Sequence, residues 1–280
     1  MTDKILTQFA LMVVSFFALW FSLSLIKFVD EDDVKNFARE NEKRLGELIL
    51  ETITSANEKV KDEKIHAIID SIKVRICRTT RIDCDEIKIH IIQKEEINAF
   101  ALPDNHMVIY SGLIAYANNA EEVAGVMAHE IGHMEKAHVM KKLVKEVGLE
   151  MLFAMVGGDA GFEIVRETGR TLSSSAFDRS QEKEADDYAV EILAKSNIDP
   201  QHMSNLFFRL SQKNNLPGQL VWISTHPDTK DRAAYIIKKK QEYTYNEDVI
   251  VKTEWVNVKK ILLSDREMSA AKTTAPADAR

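Results

Sequence analysis

His129-Glu130-Ile131-Gly132-His133 constrains this chain more than any other stretch. Histidines four residues apart project from one face of a helix. At about 100° per residue, Glu130 falls within the same arc. Two imidazoles and a carboxylate buried together need partners, and a divalent metal is one that all three can share, the histidines as ligands and the glutamate beside them. Five letters alone arise by chance in roughly one such chain in fifty, so the context decides. Ala124, Gly125, Ala128 and Gly132 let a neighbouring backbone approach closely. Val123, Met127, Ile131 and Met134 make the other sides apolar. A buried helix is expected over residues 120–147.

A catalytic zinc needs a third protein ligand and an open position. The best source is RSQEKEADDYAVEIL, residues 179–193. Helix phase aligns Glu182 with Ala185, Asp186, Ala189 and Leu193, the side that carries apolar residues. It aligns Glu184 with Asp187, Tyr188, Glu191 and Lys195, a solvent side. Glu182 is therefore the candidate third ligand. Asp186, one turn on, is the candidate acceptor for the second ring N–H of a ligating histidine. Without the upstream motif the same stretch would read as a charged helix surface. Two other metal readings fail. Glu130-x-x-His133 and Glu135-x-x-His138 lie on one predicted helix, whereas di-iron sites draw such pairs from facing helices, and His138 is about 140° around from His133. The longer H-E-x-x-H-x-x-G-x-x-H pattern has Lys136 in place of glycine, and His138 arrives one residue early. The H-E-x-x-H arrangement of a metalloprotease remains.

The surrounding pattern predicts an α+β domain, mostly helical. Val34, Phe37, Ala38, Leu45, Leu48, Ile49 and Ile53 recur at helical spacing, and a second helix is expected over 63–76. Residues 86–92 alternate like a strand. NAFAL and MVIY flank Pro103-Asp104-Asn105-His106, a turn signal that places a hairpin over 98–111 beside the active-site helix. Further helices are expected over 162–175, 179–196, 200–213 and 229–241, after a break at residues 157–161. The domain is expected over 34–243, with 244–280 a tail, partly disordered towards its low-complexity end.

Residues 5–26 carry no charge and lie between Lys4 and Lys27. As a helix they would span roughly 33 Å, so residues 1–30 read as a retained membrane anchor, with a cleaved signal peptide as the alternative. Cys77 and Cys84 are the only cysteines. Free thiols and a disulfide are equally compatible with the sequence. A disulfide would set the domain in an oxidising compartment. The net charge of −7 argues against nucleic acid as a partner, because phosphate binding needs a basic face.

Four motifs in order resemble the zinc metallopeptidases that include the CAAX prenyl endopeptidase and the HtpX heat-shock protease: NAFALPDNHMVIYSGLI, HEIGHMEKAH, RSQEKEAD and THPDTKDR. They run over residues 97–234, about half of the chain. Asp178 stands where many members have serine, which touches no catalytic group. The resemblance implies a zincin-type domain with one Zn²⁺ on His129, His133 and Glu182, Glu130 as general base and Arg232 paired with an acidic group of the site. It also makes His226 either an oxyanion donor or the occupant of the open zinc position at rest. The strand Met107 to Tyr110 would offer an edge to an extended protein or peptide substrate, near Asn98, Ala99, Val108 and Ile109. The whole then reads as a membrane-anchored endopeptidase of protein quality control, on a bacterial inner membrane with its catalytic domain periplasmic. The competing reading is a chaperone-like or assembly factor with an inhibited or structural zinc.

Overall fold

The computed structural model describes residues 31–212, 221–246 and 255–262. The chain divides into two compact units, Met1–Asn41 and Glu42–Arg280, and the second carries everything that follows. The boundary falls inside helix α1 (Glu31–Ala56), whose later turns bury Leu45 and Ile49. Helix α2 (Glu63–Cys77) starts where the Asp62 side chain accepts from the Lys64 and Ile65 N–H groups. It buries Ile65, Ile68, Ile69, Ile72 and Ile76, one stripe at helical period. Its last residue forms a disulfide with Cys84. Closing so short a loop contributes about 2.5 kcal/mol in the chain-entropy account.

Three strands follow: β1 (Lys88–Ile92), β2 (Ala99–Leu102) and β3 (His106–Tyr110), in the order β1-β3-β2. β3 is central, parallel to β1 and antiparallel to β2. The β2–β3 turn puts Asp104 and Asn105 at φ 60° and 56°, a left-handed conformation that Asp and Asn tolerate best among residues with a side chain. Both faces of the sheet are covered. Ile91, Ala99, Met107 and Ile109 point into one core, shared with Ile69, Val123, Leu193, Phe207 and Trp222. Ile92, Phe100, Val108 and Tyr110 point into the other, shared with Leu45, Ile49, Val139, Leu143 and Leu172.

Helix α3 (Ser111–Tyr116) leads to α4 (Ala120–Glu135), buried along its length through His133. Then come α5 (His138–Glu146), α6 (Leu149–Gly157), α7 (Phe162–Ser174), α8 (Arg179–Lys195), α9 (Gln201–Ser211), α10 (Val221–Thr225) and α11 (Thr229–Lys239). The small residues of α4 set its packing. A Cβ on Gly132 would lie 2.9 Å from the Ala185 carbonyl oxygen of α8, and one on Gly125 would lie 2.6 Å from Met203 Cβ of α9.

The structure departs from the sequence reading in three places. The helix expected over 120–147 is two helices, broken at Lys136 and at Ala137, which has φ 52° and ψ 31°. No glycine or proline marks this break, and tertiary contacts accompany it: the Glu135 carboxylate accepts from the Arg81 and Ile82 N–H groups and from the Tyr188 hydroxyl. Residues 255–262, read as tail, are helical. Trp255, Val258 and Leu262 are buried in the core, and Trp255 Nε1 donates to the Ala117 carbonyl. The third departure concerns the membrane. The expected anchor over 1–30 lies outside the described residues. Among the described residues no helix is long and apolar enough to cross a membrane. The longest, α1 at 26 residues, carries charges through most of its turns (EDDVKNFARENEKRLGELILETITSA), and burying each in hydrocarbon would cost several kcal/mol. The fold is therefore stated without a transmembrane helix. The expectations of a membrane-anchored enzyme, a membrane partner and a single-pass periplasmic location are withdrawn with it.

The α4–α8 approach yields a test. Gly132→Ala should destabilise the protein by about 1–3 kcal/mol, because the added methyl meets backbone rather than a side chain that can swing away. Urea unfolding checks it, with a lowered midpoint expected.

Candidate metal centre

Two helices and a loop build the site. α4 presents His129, Glu130 and His133. α8 presents Glu182, three residues after its first. The turn after α10 presents His226, whose N–H donates to the Trp222 carbonyl at 2.8 Å. One donor atom from each of His129, His133, Glu182 and His226 lies within 4.8 Å of the others, and all four residues are buried. His129 Nε2 is 3.0 Å from His133 Nε2 and 3.2 Å from His226 Nδ1. Glu182 Oε1 is 2.9 Å from His226 Nδ1 and 3.4 Å from His133 Nε2.

These residues fit zinc. Bonds of about 2.0–2.1 Å in a tetrahedron space the ligand atoms roughly 3.3 Å apart, close to the separations here. Three imidazole nitrogens converging on one point cannot satisfy one another with the protons they have, whereas a cation satisfies them together. The donor set of histidine nitrogens and one carboxylate is that of a gluzincin-type zinc site.

Behind the donors lies a charged network. Asp186 Oδ1 is 2.9 Å from His129 Nδ1. Arg232 donates through Nε and Nη2 to both Asp186 oxygens, at 2.8 and 2.7 Å, and pairs with Glu182 through Nη1. Burial works to raise the Glu182 and Asp186 carboxyls, but for Glu182 His226 and Arg232 outweigh it, and for Asp186 Arg232 does, so both stay below their ordinary values. Burial pushes the His226 ring down to about 4 and the His133 ring well below its usual value. Both rings are therefore neutral at pH 7, the state in which imidazole binds a metal.

Glu130 differs from Glu182. Its Oε2 accepts the Ala101 N–H at 2.8 Å. Its Oε1 has no hydrogen-bond partner and faces His226 Nε2, likewise without one, at 3.5 Å. Burial raises the Glu130 carboxyl well above its ordinary value, the Ala101 N–H opposing. A carboxylate so placed is a stronger base than one in water.

Some residues of this site carried no signal in the sequence. Phe177 stacks on His133 with centroids 3.8 Å apart, and Trp222 stacks on His226 at the same distance. Buried Lys142 lies over the Phe177 ring and donates to the Leu172 and Ser175 carbonyls; burial lowers it to about 8. The residues expected at a substrate edge fall out differently. Val108 and Ile109 sit on β3, and both sides of β3 are paired. Ala99 lies on β2, one of the two outer strands. Because the Tyr110 N–H bonds to the Asn98 carbonyl, the backbone polar groups of Ala99 and Ala101 point away from β3. Asn98 is buried, with Nδ2 donating to the Ser173 carbonyl and Oδ1 unpaired. A cavity of about 180 Å³ between α8 and α11 reaches Glu182, Asp186 and Arg232.

Known proteins are similar to this chain in sequence. Residues 59–240 match the model of peptidase family M48. The beta-barrel assembly-enhancing protease of Escherichia coli strain K12 is 26% identical over 208 residues, covering 69% of this chain and 42% of that protein. The metalloprotease LoiP of the same strain is 29% identical over 161 residues, 55% of this chain and 63% of its own length. The mitochondrial metalloendopeptidase OMA1 of Arabidopsis thaliana is 26% identical over 175 residues, 62% and 33% respectively. The chain thus spans less than half the length of the assembly-enhancing protease it matches. With well over half of its residues on the family model, the chain belongs to peptidase family M48.

Proposed function

We propose that this protein is a zinc-dependent metalloendopeptidase that hydrolyses peptide bonds in proteins, its peptidase domain over residues 34–243. The observation that carries the reading is the unpartnered Glu130 Oε1, buried beside four converging donor atoms. A structural metal site has no use for a free carboxylate oxygen, and a hydrolytic one needs it. Zinc held by His129, His133 and Glu182 supplies Lewis acidity, which lowers the pKa of a water towards ~7 and polarises the scissile carbonyl.

The chain's own residues do the rest. Glu130 takes the water's proton at Oε1 and returns it to the leaving amine. The Ala101 N–H holds its other oxygen, so the base keeps its direction. Asp186 accepts from His129 Nδ1 and fixes that ring's tautomer, while Arg232 keeps Asp186 and Glu182 ionised in a buried setting. His226 serves the resting enzyme as a fourth donor, a reading supported by its Nδ1 lying 2.9 Å from Glu182 Oε1. Turned towards substrate, it donates to the oxyanion. An extended substrate adds alongside β2 at Ala99 and Asn98, where backbone groups give affinity with little sequence preference. Val108 and Ile109 brace that strand from β3. The finer resemblance to the CAAX prenyl endopeptidase and HtpX rests on the four shared motifs, which describe the same site.

Glu130→Gln tests the base. Cleavage of an unfolded casein substrate should fall by about 10²–10⁴-fold, with one zinc per chain and an unchanged melting temperature. Cleavage at the wild-type rate would show that Glu130 is not the base. A second test uses the metal-free protein. His133 and His226 have folded pKa values below the unfolded value of about 6.5. The unfolded chain therefore binds protons first as the pH falls, and stability present above pH ~6.5 is lost towards pH ~4. The raised Glu130 carboxyl acts in the opposite sense, so the test uses the Glu130→Gln protein, whose urea midpoints with chelator present should drop over that interval.

A further inference from the structure

His138 is the histidine that a continuous helix would carry about 140° away from His133. The break at Lys136 and Ala137 changes that. Ala137 adopts φ 52° and ψ 31°, a left-handed conformation that residues with a Cβ seldom take up. Its effect is to restart the chain as α5 with His138 turned back over α4. The His138 Nδ1 lies 3.0 Å from His133 Nδ1, and both rings are buried. The other His138 nitrogen, Nε2, lies 3.3 Å from Glu184 Oε2, on a side chain 54% exposed. Glu184 has the solvent-side position that helix phase gives it, and it reaches inward through this one contact.

We infer that His138 is a positioning residue for His133, holding the ligand ring by its Nδ1, and that Glu184 selects which His138 nitrogen carries the proton. The inference rests on the zinc reading above. Proton counting makes it specific. His133 Nε2 points into the donor cluster, 3.0 Å from His129 Nε2, so in the metal-bound state its proton is on Nδ1. That N–H can donate only if His138 Nδ1 is bare. The His138 proton is then on Nε2, where Glu184 accepts it. The order is Glu184 carboxylate, His138, His133, metal. The two metal-binding histidines thus differ in support. His129 leans on a buried anion, Asp186. His133 leans on a neutral imidazole, and Phe177 stacked at 3.8 Å holds the plane of its ring but not the direction of Nε2 within that plane.

The test compares two substitutions of similar size. His138→Asn keeps an acceptor where Nδ1 stood; His138→Leu keeps bulk and removes it. Zn²⁺ affinity is measured by competition with a chromophoric chelator, with melting temperatures of the metal-free forms recorded alongside. H138L should bind zinc 10- to 100-fold more weakly than wild type, the usual loss on removing such a support, while H138N stays within about threefold. The ¹⁵N shifts of the zinc-loaded wild type should report a proton on Nε2 of His138 and on Nδ1 of His133, a readout that needs no variant to fold. Equal affinities for H138L and wild type, or the opposite tautomer at His138, would overturn the inference and leave the zinc site standing. A wild-type protein that takes up no zinc would overturn the zinc reading itself, and this inference with it.

Discussion

The closeness of α4 to α8 governs the rest of the structure. Without a Cβ at Gly132, the backbone of one helix lies against Ala185 of the other. That contact sits between His129 and His133 on one side and Glu182 and Asp186 on the other. Donor atoms from two helices separated by about fifty residues then fall within a few ångströms, before any metal is considered. The sheet contributes from the other flank, where the outward-facing Ala101 N–H of β2 reaches the Glu130 carboxylate. The geometry of the site is a by-product of how closely three elements pack.

Closeness of this kind buries charge, and the structure manages it by pairing. Arg232 bridges Asp186 and Glu182, and its guanidinium lies over the Phe207 ring. A buried ion network is a weak source of net stability, since desolvation offsets most of the attraction. Its value here is positional: Asp186 is held where it accepts from His129, and Glu182 stays ionised where it faces three imidazoles. Glu130 is left out of that network. Burial outweighs the Ala101 N–H and the more distant pull of Lys142 and Arg232 at Glu130, so two glutamates in one site have opposite acid–base character.

Some of this was legible in the residue pattern. The i, i+4 spacing of His129 and His133 puts both rings on one face whatever the fold. Helix phase separates Glu182 from Glu184 because apolar residues recur on the Glu182 side, and the donor cluster contains Glu182. The hairpin over 98–111 follows from a turn of Pro, Asp and Asn between apolar runs. The break before His138 was not legible, since alanine is the best helix former and nothing local stops the helix there. Phe177 and Trp222 carry no signal because an aromatic residue beside a helix reads as ordinary core. The edge expected of Met107 to Tyr110 belongs to β2, since a strand's neighbours depend on chain crossings that composition does not record. The helix over 255–262 looked like tail because its apolar residues are few, yet three of them are enough to pack into the core.

Local periodicity and the identity of the ionisable residues, both properties of neighbours along the chain, determined which side chains could hold a metal and which carboxylate stands beside them. Tertiary packing decided which of them meet. It also decided which carboxylate is neutralised and which is left basic, and how His138 comes to face His133. These outcomes depend on distances between residues remote in sequence and on exclusion of water from the space between them, and neither quantity exists until the chain has folded.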